Sequence, residues 1–337
     1  MRLSLCIPTY NRAPQLRQLL DSVARQRDHG LDVEVVISDN ASTDDTSTVV
    51  DAFRQAGLTI VYRRLPENLG FDRNMLNVVT LASSDYCWLF GSDDILEDGA
   101  FARIERALAA NPGSTGLSVG SNGYTPDMAE RIYLRDHIAI DFAGETTLHG
   151  RDAIVEGIGP WGLGFISSII IRRRAWGDAV AASPIERYCN GYVHIYVLAR
   201  ALNAQSSWVC VPDRLVGWRS GNDSAASTDS FKRTRLDLVG FDQCIGDAVG
   251  RDNPTYWSAM RKVATFYIRM HFLNAKMQGA GRHYWKQALP MAVGYYWRIP
   301  SFWTRTFPIA LVPRPLMLGL RHAYRHTVKP IRQRIAE

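Results

Sequence analysis

The sequence has 337 residues, of which 46% are hydrophobic and 21% are charged, and its formal net charge is +6. These proportions are typical of a globular protein with one large or two smaller domains, and they exclude an intrinsically disordered chain. No apolar run reaches the roughly 18 residues of a membrane-spanning helix, so no such helix is predicted.

The first 90 residues alternate short apolar runs with amphipathic segments. Strands are predicted at 3–7, 33–38, 59–62 and 86–90, and the intervening segments carry apolar residues at helical spacing. This alternation predicts an α/β fold with a mostly parallel sheet and helices on both faces.

Polar loops follow three of these strands, at Pro8–Arg12, Asp39–Thr46 and Gly91–Asp94. In an open α/β sheet, ligands bind outside the carboxyl ends of the strands, so the three loops are expected to converge on one ligand site. None of them carries the glycine-rich pattern of a dinucleotide site or of a P-loop, which disfavours both.

The pair Asp93 and Asp94 directly follows a buried apolar strand. A carboxylate at a strand end is a hard oxygen ligand suited to Mg²⁺ or Mn²⁺, and such a cation would hold a diphosphate. Paired aspartates after a strand also form turns and helix N-caps, so this pair alone leaves both interpretations open.

Four motifs, in their order and spacing, resemble the N-terminal half of family 2 glycosyltransferases with the GT-A fold. They are Ile7-Pro-Thr-Tyr-Asn-Arg12, Ile37-Ser-Asp-Asn-Ala-Ser-Thr-Asp44, Asn68-Leu-Gly70 and Leu89-Phe-Gly-Ser-Asp-Asp94. The resemblance covers residues 1–110 strongly and continues weakly to residue 220. The Gly91-Ser-Asp-Asp94 form of the last motif, together with Gly70-Phe-Asp-Arg-Asn74, resembles a branch that includes transferases of O-antigen deoxysugars such as abequose.

The resemblance implies roles for individual residues. Asp39 would accept a hydrogen bond from the nucleotide base, and Asp93 would be the last acid of the family's D-x-D motif and a ligand of Mn²⁺ or Mg²⁺. The other residues implied to bind the nucleotide-sugar are Pro8, Thr9, Tyr10, Arg12, Asn40, Asp72, Asn74 and Ser92. Gly91 stands where the family usually has the first acid, so one carboxylate ligand is missing.

The middle of the chain, residues 111–225, is interpreted as the acceptor-binding half. The family usually has an acidic catalytic base near the start of a helix here, and a helix is predicted at 192–202. This chain has no Glu-Asp pair at that point, so either His194 or Glu186 is the expected base. Of the two, His194 is predicted to be the base, because the pKa of histidine lies near neutrality. Arg219 has two interpretations, a phosphate clamp or a solvated surface group.

The basic character of the chain belongs to its C-terminal quarter. Residues 255–337 contain 14 Lys and Arg against one acid and so carry +13, whereas residues 1–254 carry −7. The quarter also contains four Trp and six Tyr, and residues 255–277 are predicted to form an amphipathic helix. Aromatic and basic side chains suit a membrane–water interface, and packing on the catalytic domain is the alternative.

The sequence therefore predicts two domains. The first is a GT-A glycosyltransferase domain at 1–225 with its nucleotide-sugar half at 1–110, and the second is a basic, aromatic-rich helical region at 226–337 that contacts a membrane peripherally. The expected reaction is an inverting transfer of a sugar from a nucleoside diphosphate-sugar to a glycan or polyprenyl-linked acceptor. The resemblance places this reaction in bacterial surface polysaccharide synthesis, of O-antigen or capsule.

Two other functions stay open, a catalytically inactive GT-A-like subunit of a synthase complex and a sugar nucleotidyltransferase. The five cysteines are scattered and lack the spacing of a zinc site, which indicates reduced thiols. The expected location is thus the cytoplasm, at the inner face of the cytoplasmic membrane. Nucleic acid is not an expected partner, because the basic tail contains no recognisable nucleic-acid-binding module.

Overall fold

The computed structural model describes residues 2–132, 142–221 and 230–323. The chain divides into two compact units. Their bounds are Met1–Asp223 with Gln243–Tyr256 for the first unit, and Ser224–Asp242 with Trp257–Glu337 for the second. The domain boundary predicted at 225 lies outside the described residues.

Parallel strands form the first half of a ten-stranded sheet in the first unit. They are β1 Arg2–Thr9, β2 Asp32–Asp39, β3 Ile60–Arg64 and β4 Tyr86–Leu89. Their order in the sheet is β3-β2-β1-β4, and every neighbouring pair is parallel. Each matches a predicted strand, but β1 and β2 run further than predicted, so Pro8, Thr9 and Asp39 lie in strands and not in loops.

The second half of the sheet is mixed. Its strands are β5 Ile95–Leu96, β6 Gly116–Tyr124, β7 Arg131–Ile132, β8 Thr146–His149, β9 Ile169–Arg172 and β10 Ser207–Arg219. Strand β9 runs antiparallel between β4 and β6, whereas β10 is parallel to β6. The mostly parallel arrangement thus holds for residues 2–89 and ends where β9 enters the sheet in the opposite direction.

Amphipathic helices connect the strands of the first unit. They are α1 Ala13–Ala24, α2 Thr46–Gln55, α3 Gly70–Leu81, α4 Ala100–Ala110, α5 Arg151–Gly164, α6 Arg173–Ala181 and α7 Val193–Ala201. Helix α1 buries Leu16, Leu19, Leu20 and Val23, the residues that the helical spacing selects. They join a core cluster with the apolar side chains of β1, β2 and β4.

Helices also make up the remainder of the described chain. They are α8 Ser230–Val249, α9 Pro254–Val263, a π-helical turn Ala264–Ile268, α10 Arg269–Gln278, α11 Arg282–Tyr296, α12 Pro300–Arg305, α13 Phe307–Leu311 and α14 Arg314–Ala323. The helix predicted at 255–277 is confirmed as the continuous run from α9 to α10. It ends at Gly279, whose φ of +78° belongs to the left-handed region that glycine tolerates. Across the described ranges, every helix is too short or too polar to cross a membrane.

Candidate functional site

The ends of β1, β2 and β4 lie side by side at one edge of the sheet. Thr9 pairs with Asp39 in the register of β1 and β2. Just past β4, the N–H of Phe90 donates to the carbonyl of Cys6 on β1 at 2.9 Å. The three polar loops that follow these strands therefore start from neighbouring points, as the strand–helix alternation predicts.

Asp39 ends β2 and is buried, with 1% of its surface exposed. Its Oδ1 accepts the N–H of Ser42 at 2.8 Å, and its Oδ2 accepts the hydroxyl of Tyr62 at 2.6 Å. Burial, and next the hydrogen bond to Asp39, raise the pKa of Tyr62, which keeps this hydroxyl a donor. Each carboxylate oxygen can accept a further hydrogen bond, so the turn and a base contact are compatible.

Asn40 fixes the loop that contains the Asn68-Leu-Gly70 motif. Its side-chain oxygen accepts the N–H of Leu69 at 2.8 Å, and its side-chain N–H donates to Asn68 Oδ1 at 2.8 Å. Its backbone N–H donates to the carbonyl of Thr9 at 2.9 Å. Asn40, predicted to bind the nucleotide-sugar, therefore holds the surrounding loops in position.

Asn74, on α3, ties the same two strand ends together. It accepts the hydroxyl of Ser38 at 2.6 Å and donates to the carbonyls of Ser38 at 3.0 Å and Thr9 at 3.3 Å. The Asn74 side chain is buried, and its partners in all three hydrogen bonds are protein groups. This geometry is that of a positioning residue beneath the site.

The first two loops have an unusual backbone conformation. Asn11 and Ala41 have φ angles of +48° and +62°, in the left-handed region that favours glycine. The Asn11 side chain accepts the N–H of Thr43 at 2.7 Å, and its backbone N–H donates to Ser42 Oγ at 2.9 Å, so the loops support each other. Such strain persists only where surrounding contacts enforce it, and it clusters at ligand sites.

Arg12 and Asp93 join the first loop to the third. The Arg12 Nη1 lies 2.5 Å from Asp93 Oδ2, and about one-fifth of each side chain is exposed. The pair is therefore partly exposed and reachable by a ligand. Guanidinium groups match the geometry of phosphate oxygens, so Arg12 is suited to a diphosphate.

Gly91 lies at the position of the missing first acid. A Cβ at this residue would stand 3.0 Å from Asp93 Oδ1, 3.2 Å from Asp94 Oδ2 and 3.3 Å from Ser167 Oγ. Oxygen atoms thus fill the space in which a side chain at position 91 would begin. An acid could enter there only if these neighbours moved.

Asp94 is a buried structural member of the third loop. Its Oδ2 accepts the Ser167 hydroxyl at 2.6 Å, and its Oδ1 accepts the N–H of Arg219 at 3.2 Å. Burial and the adjacent Asp93 raise the pKa of Asp94 to about 8. These contacts agree with the interpretation of Asp94 as a turn residue.

Arg219 braces the third loop from inside the protein. Its guanidinium donates to the carbonyls of Asp93 at 2.9 Å and Pro126 at 2.6 Å, and to the side chain of Gln18. The residue is buried, so its interpretation as a solvated surface group is wrong. Because three protein oxygens engage the guanidinium, the phosphate-clamp interpretation has no support either.

A divalent cation fits this loop together with a substrate. Among the described residues, no group of three or more His, Cys, Asp or Glu side chains is placed to hold a metal. Asp93 offers one partly exposed carboxylate, whereas Asp94 is buried and engaged by protein donors. One carboxylate plus the oxygens of a diphosphate makes the oxygen-rich ligand set that Mg²⁺ and Mn²⁺ prefer.

Asp72 and Arg73 connect α3 to the segment that leads into α7. Asp72 accepts the N–H groups of Gly191 at 2.6 Å and Val193 at 3.0 Å, at the start of α7. A carboxylate is favourable at a helix N-terminus, although burial raises the pKa of Asp72. Arg73 forms an ion pair with Glu186 at 2.6 Å. Asp72 thus positions α7, a different role from the predicted contact with the nucleotide-sugar.

The two candidates for the base differ in accessibility. His194, in the first turn of α7, is 2% exposed, and its Nε2 lies 3.3 Å from the carbonyl of Gly164. Its Nδ1 is buried without a hydrogen-bond partner among the described residues. Burial lowers the pKa of His194 to about 4, which makes it a weak base. Glu186 is exposed at the surface beside Arg73.

The remaining predicted residues surround the strand ends. Pro8 and Ser92 are buried, and Tyr10 is exposed. Thr9 is buried, and its Oγ1 has no hydrogen-bond partner in the part of the chain that the structure describes. A buried hydroxyl without a partner at a strand end is available to a ligand.

Three residues support the site through contacts that no sequence pattern predicts. Tyr62 binds Asp39, Ser167 binds Asp94, and Arg219 holds the Asp93 carbonyl. Each reaches the site from another element, and Ser167 is 73 residues from its partner. Only the assembled sheet brings them together.

Comparison with known proteins gives consistent results. The family model "Glycosyl transferase family 2" matches residues 4–157. The chain is 32% identical over 254 residues to the abequosyltransferase RfbV of Salmonella typhimurium, a match that covers 72% of this chain and 73% of that protein. It is 31% identical over 158 residues to the GalNAc(5)-diNAcBac-PP-undecaprenol beta-1,3-glucosyltransferase of Campylobacter jejuni, covering 43% of this chain and 50% of that protein.

Solved structures show the same fold. Residues 1–349 of S. aureus TarS, in complex with UDP-GlcNAc, match 96% of this chain and 87% of that chain with a TM-score of 0.61 at 16% identity. The likeness confirms the predicted α/β fold of the GT-A type with a C-terminal helical region.

Proposed function

Because this chain belongs to glycosyltransferase family 2, we propose that it transfers a sugar, with inversion at the anomeric carbon, from a nucleoside diphosphate-sugar to a glycan or polyprenyl-linked acceptor. The observation that carries this proposal is the convergence of Asp39, Arg12 and Asp93 at one edge of the sheet. The proposed setting is bacterial surface polysaccharide synthesis. The abequosyltransferase match supports an O-antigen-type product, and the relative named for an undecaprenol-linked substrate supports a lipid-linked acceptor.

The donor nucleotide lies over the ends of β1 and β2 in this proposal. Asp39 accepts an N–H of the base, and the Ser42 and Tyr62 donors keep its carboxylate oriented for this contact. The Thr9 hydroxyl, which is buried without a protein partner among the described residues, donates to an oxygen of the donor. These contacts stabilise the ground state and the transition state equally, so they determine donor affinity more than the turnover rate.

The diphosphate lies beside the ion pair of Arg12 and Asp93. A divalent cation held by Asp93 and the diphosphate would neutralise the negative charge of the leaving diphosphate. Arg12 places a fixed positive charge beside the same oxygens. The Arg219 brace and the Asp94–Ser167 hydrogen bond keep the Asp93 loop from shifting.

Glu186 is the proposed base. The acceptor hydroxyl oxygen forms the new bond to the anomeric carbon on the face opposite the diphosphate, whose bond to that carbon breaks, and Glu186 takes the hydroxyl proton. Exposure of Glu186 supports this role, because an acceptor can reach its carboxylate. Burial of His194 counts against the alternative, because an acceptor hydroxyl cannot reach a buried ring.

We place the reaction in the cytoplasm, at the inner face of the cytoplasmic membrane. All five cysteines are free thiols, and four of them are buried. Free thiols in this number are typical of a reducing compartment.

The proposal is tested with UDP-, GDP-, CDP- and dTDP-sugars, each with Mg²⁺ or Mn²⁺ and with or without a polyprenyl-linked glycan extract. We expect acceptor-dependent release of one nucleoside diphosphate. Nucleotide binding without any turnover would identify an inactive binding subunit. Formation of a nucleotide-sugar from a nucleoside triphosphate and a sugar phosphate would identify a nucleotidyltransferase.

A further inference from the structure

Large apolar side chains are exposed along the last helices of the second unit. Their exposures lie between 39% and 67%, although such residues are usually covered. Within the described ranges, the first unit exposes three residues of this kind, and the stretch from residue 297 to 318 alone exposes five. We define four of these as the apolar patch, namely Trp297, Trp303, Leu311 and Leu316, because Leu318 lies two residues after Leu316 on α14 and faces the other side of that helix.

The helices that carry the apolar patch are packed together. The Trp303 indole N–H donates to the carbonyl of Trp297 at 3.0 Å, and its ring lies 4.9 Å from the ring of Phe307 on α13. Helices α13 and α14 both pack on α10. The patch is thus built on a supported surface, with its large side chains directed outward.

Basic residues accompany the patch, and the stretch of sequence that carries it contains no carboxylates. Arg298, Arg305 and Arg314 are exposed between or beside its members, and the Arg298 guanidinium lies 4.9 Å from the centre of the Trp297 ring. In the sequence, no Asp or Glu occurs between Asp252 and Glu337. The surface therefore combines exposed aromatic and leucine side chains with positively charged ones.

We propose that the apolar patch and its three arginines dock on the headgroup region of an anionic lipid membrane. Trp and Leu insert at the level of the headgroups, while Arg side chains reach the lipid phosphates. A second copy using the same face would bring arginines against arginines, because a two-fold interface is self-complementary. Anionic lipid supplies the opposite charge that this surface lacks.

Vesicle sedimentation of the full chain tests the proposal without donor or acceptor, so its outcome is independent of the proposed enzymatic activity. The vesicles contain phosphatidylcholine alone or mixed with phosphatidylglycerol. We expect sedimentation with the anionic vesicles at low salt and little with the neutral ones, because exposed charges are screened and need an opposite partner.

Two variants separate the contributions. Since each Lys or Arg near an anionic surface contributes about fivefold in binding, replacing Arg298, Arg305 and Arg314 with Gln should weaken binding on the order of 100-fold. Replacing Trp297 and Leu311 with Ser should weaken it by about tenfold or more. Circular dichroism should show both variants as helical as the wild type.

A matched control removes the same charge elsewhere. Arg25, Arg63 and Arg174 are exposed in the first unit, and their replacement with Gln should leave sedimentation nearly unchanged. Val61→Ser removes an exposed apolar residue of the first unit and should also have little effect.

Three results would overturn the proposal. The first is a wild-type protein that stays in the supernatant with anionic vesicles at low salt. The second is equal sedimentation of the wild type and of both patch variants. The third is a wild type that self-associates without lipid while the Trp297 and Leu311 variant does not, which would make a second copy the occupant.

Discussion

Asp72 offers a quantitative test of how the two halves of the first unit are joined. Its carboxylate accepts two backbone N–H groups at the start of α7 at 2.6 and 3.0 Å, and the side chain is buried. Hydrogen bonds to a charged acceptor each contribute about 1.5–3 kcal/mol, but replacing a helix cap typically costs about 1–2 kcal/mol in total. The raised pKa of Asp72 shows that burial offsets part of the gain.

Asp72→Ala should therefore lower the free energy of unfolding by about 2 kcal/mol, because two buried N–H groups lose their acceptor. Asp72→Asn keeps one oxygen and should lose about half as much. Asp45 is a matched control, since it occupies the N-cap of α2 without a side-chain cap hydrogen bond. Asp45→Ala should cost less than about 1 kcal/mol. Chemical denaturation followed by circular dichroism measures all three.

Kinetics separates a positioning role from a purely structural one. Helix α7 begins five residues after the 3₁₀ turn that carries Glu186, so its displacement should disturb acceptor binding. We expect Asp72→Ala to raise the acceptor KM more than the donor KM, with Asp72→Asn intermediate. Unchanged stability and an unchanged acceptor KM in Asp72→Ala would refute the reasoning.

Three further predictions concern single side chains. Asp39→Ala should raise the donor KM with kcat little changed, since a base contact is remote from the reacting carbon, and an unaltered donor KM would rule out that contact. Glu186→Gln should lower kcat by about 10²–10⁴-fold while nucleotide binding persists. If Glu186→Gln is active and His194→Gln is inactive, His194 is the base and Glu186 is not. The pKa of His194 is lowered from 6.5 to about 4, so folding stability should fall as pH drops below 6.5, by about 1.4 kcal/mol per pH unit. His194→Gln should lose less stability than the wild type between pH 7.5 and 5.5, and equal losses would contradict the burial argument.

The first half of the fold was predictable because its signals are local. Apolar runs place β1 to β4 to within two residues at each end, and helical spacing predicts the helices between them. The strand–helix alternation also brings three loops to one edge without any knowledge of long-range contacts. Gly91, Asp93 and Asp39 were therefore identifiable as a group.

The support of the site was not predictable, because it is tertiary. Arg219 is on β10, yet its guanidinium holds the carbonyl of Asp93, and nothing near it in sequence distinguishes it from a surface arginine. Asp72 and Asn74 are in a family-like motif that suggested ligand contacts, whereas their side chains are engaged by protein groups. The motif that contains a residue predicts where that residue lies more reliably than it predicts which groups the residue contacts.

The most direct test of the account is the transfer rate of Asp93→Asn at saturating donor with Mg²⁺ or Mn²⁺, beside Asp98→Asn as a matched control on an exposed acid. Asp93 is the partly exposed carboxylate of the third loop and contacts Arg12 at 2.5 Å. The account predicts a loss of about 10²-fold or more in Asp93→Asn, because charge stabilisation of the leaving diphosphate contributes several kcal/mol. It predicts near wild-type rates for Asp98→Asn and an unchanged melting transition for both. A fully active Asp93→Asn enzyme would contradict the assignment of this loop as the diphosphate site.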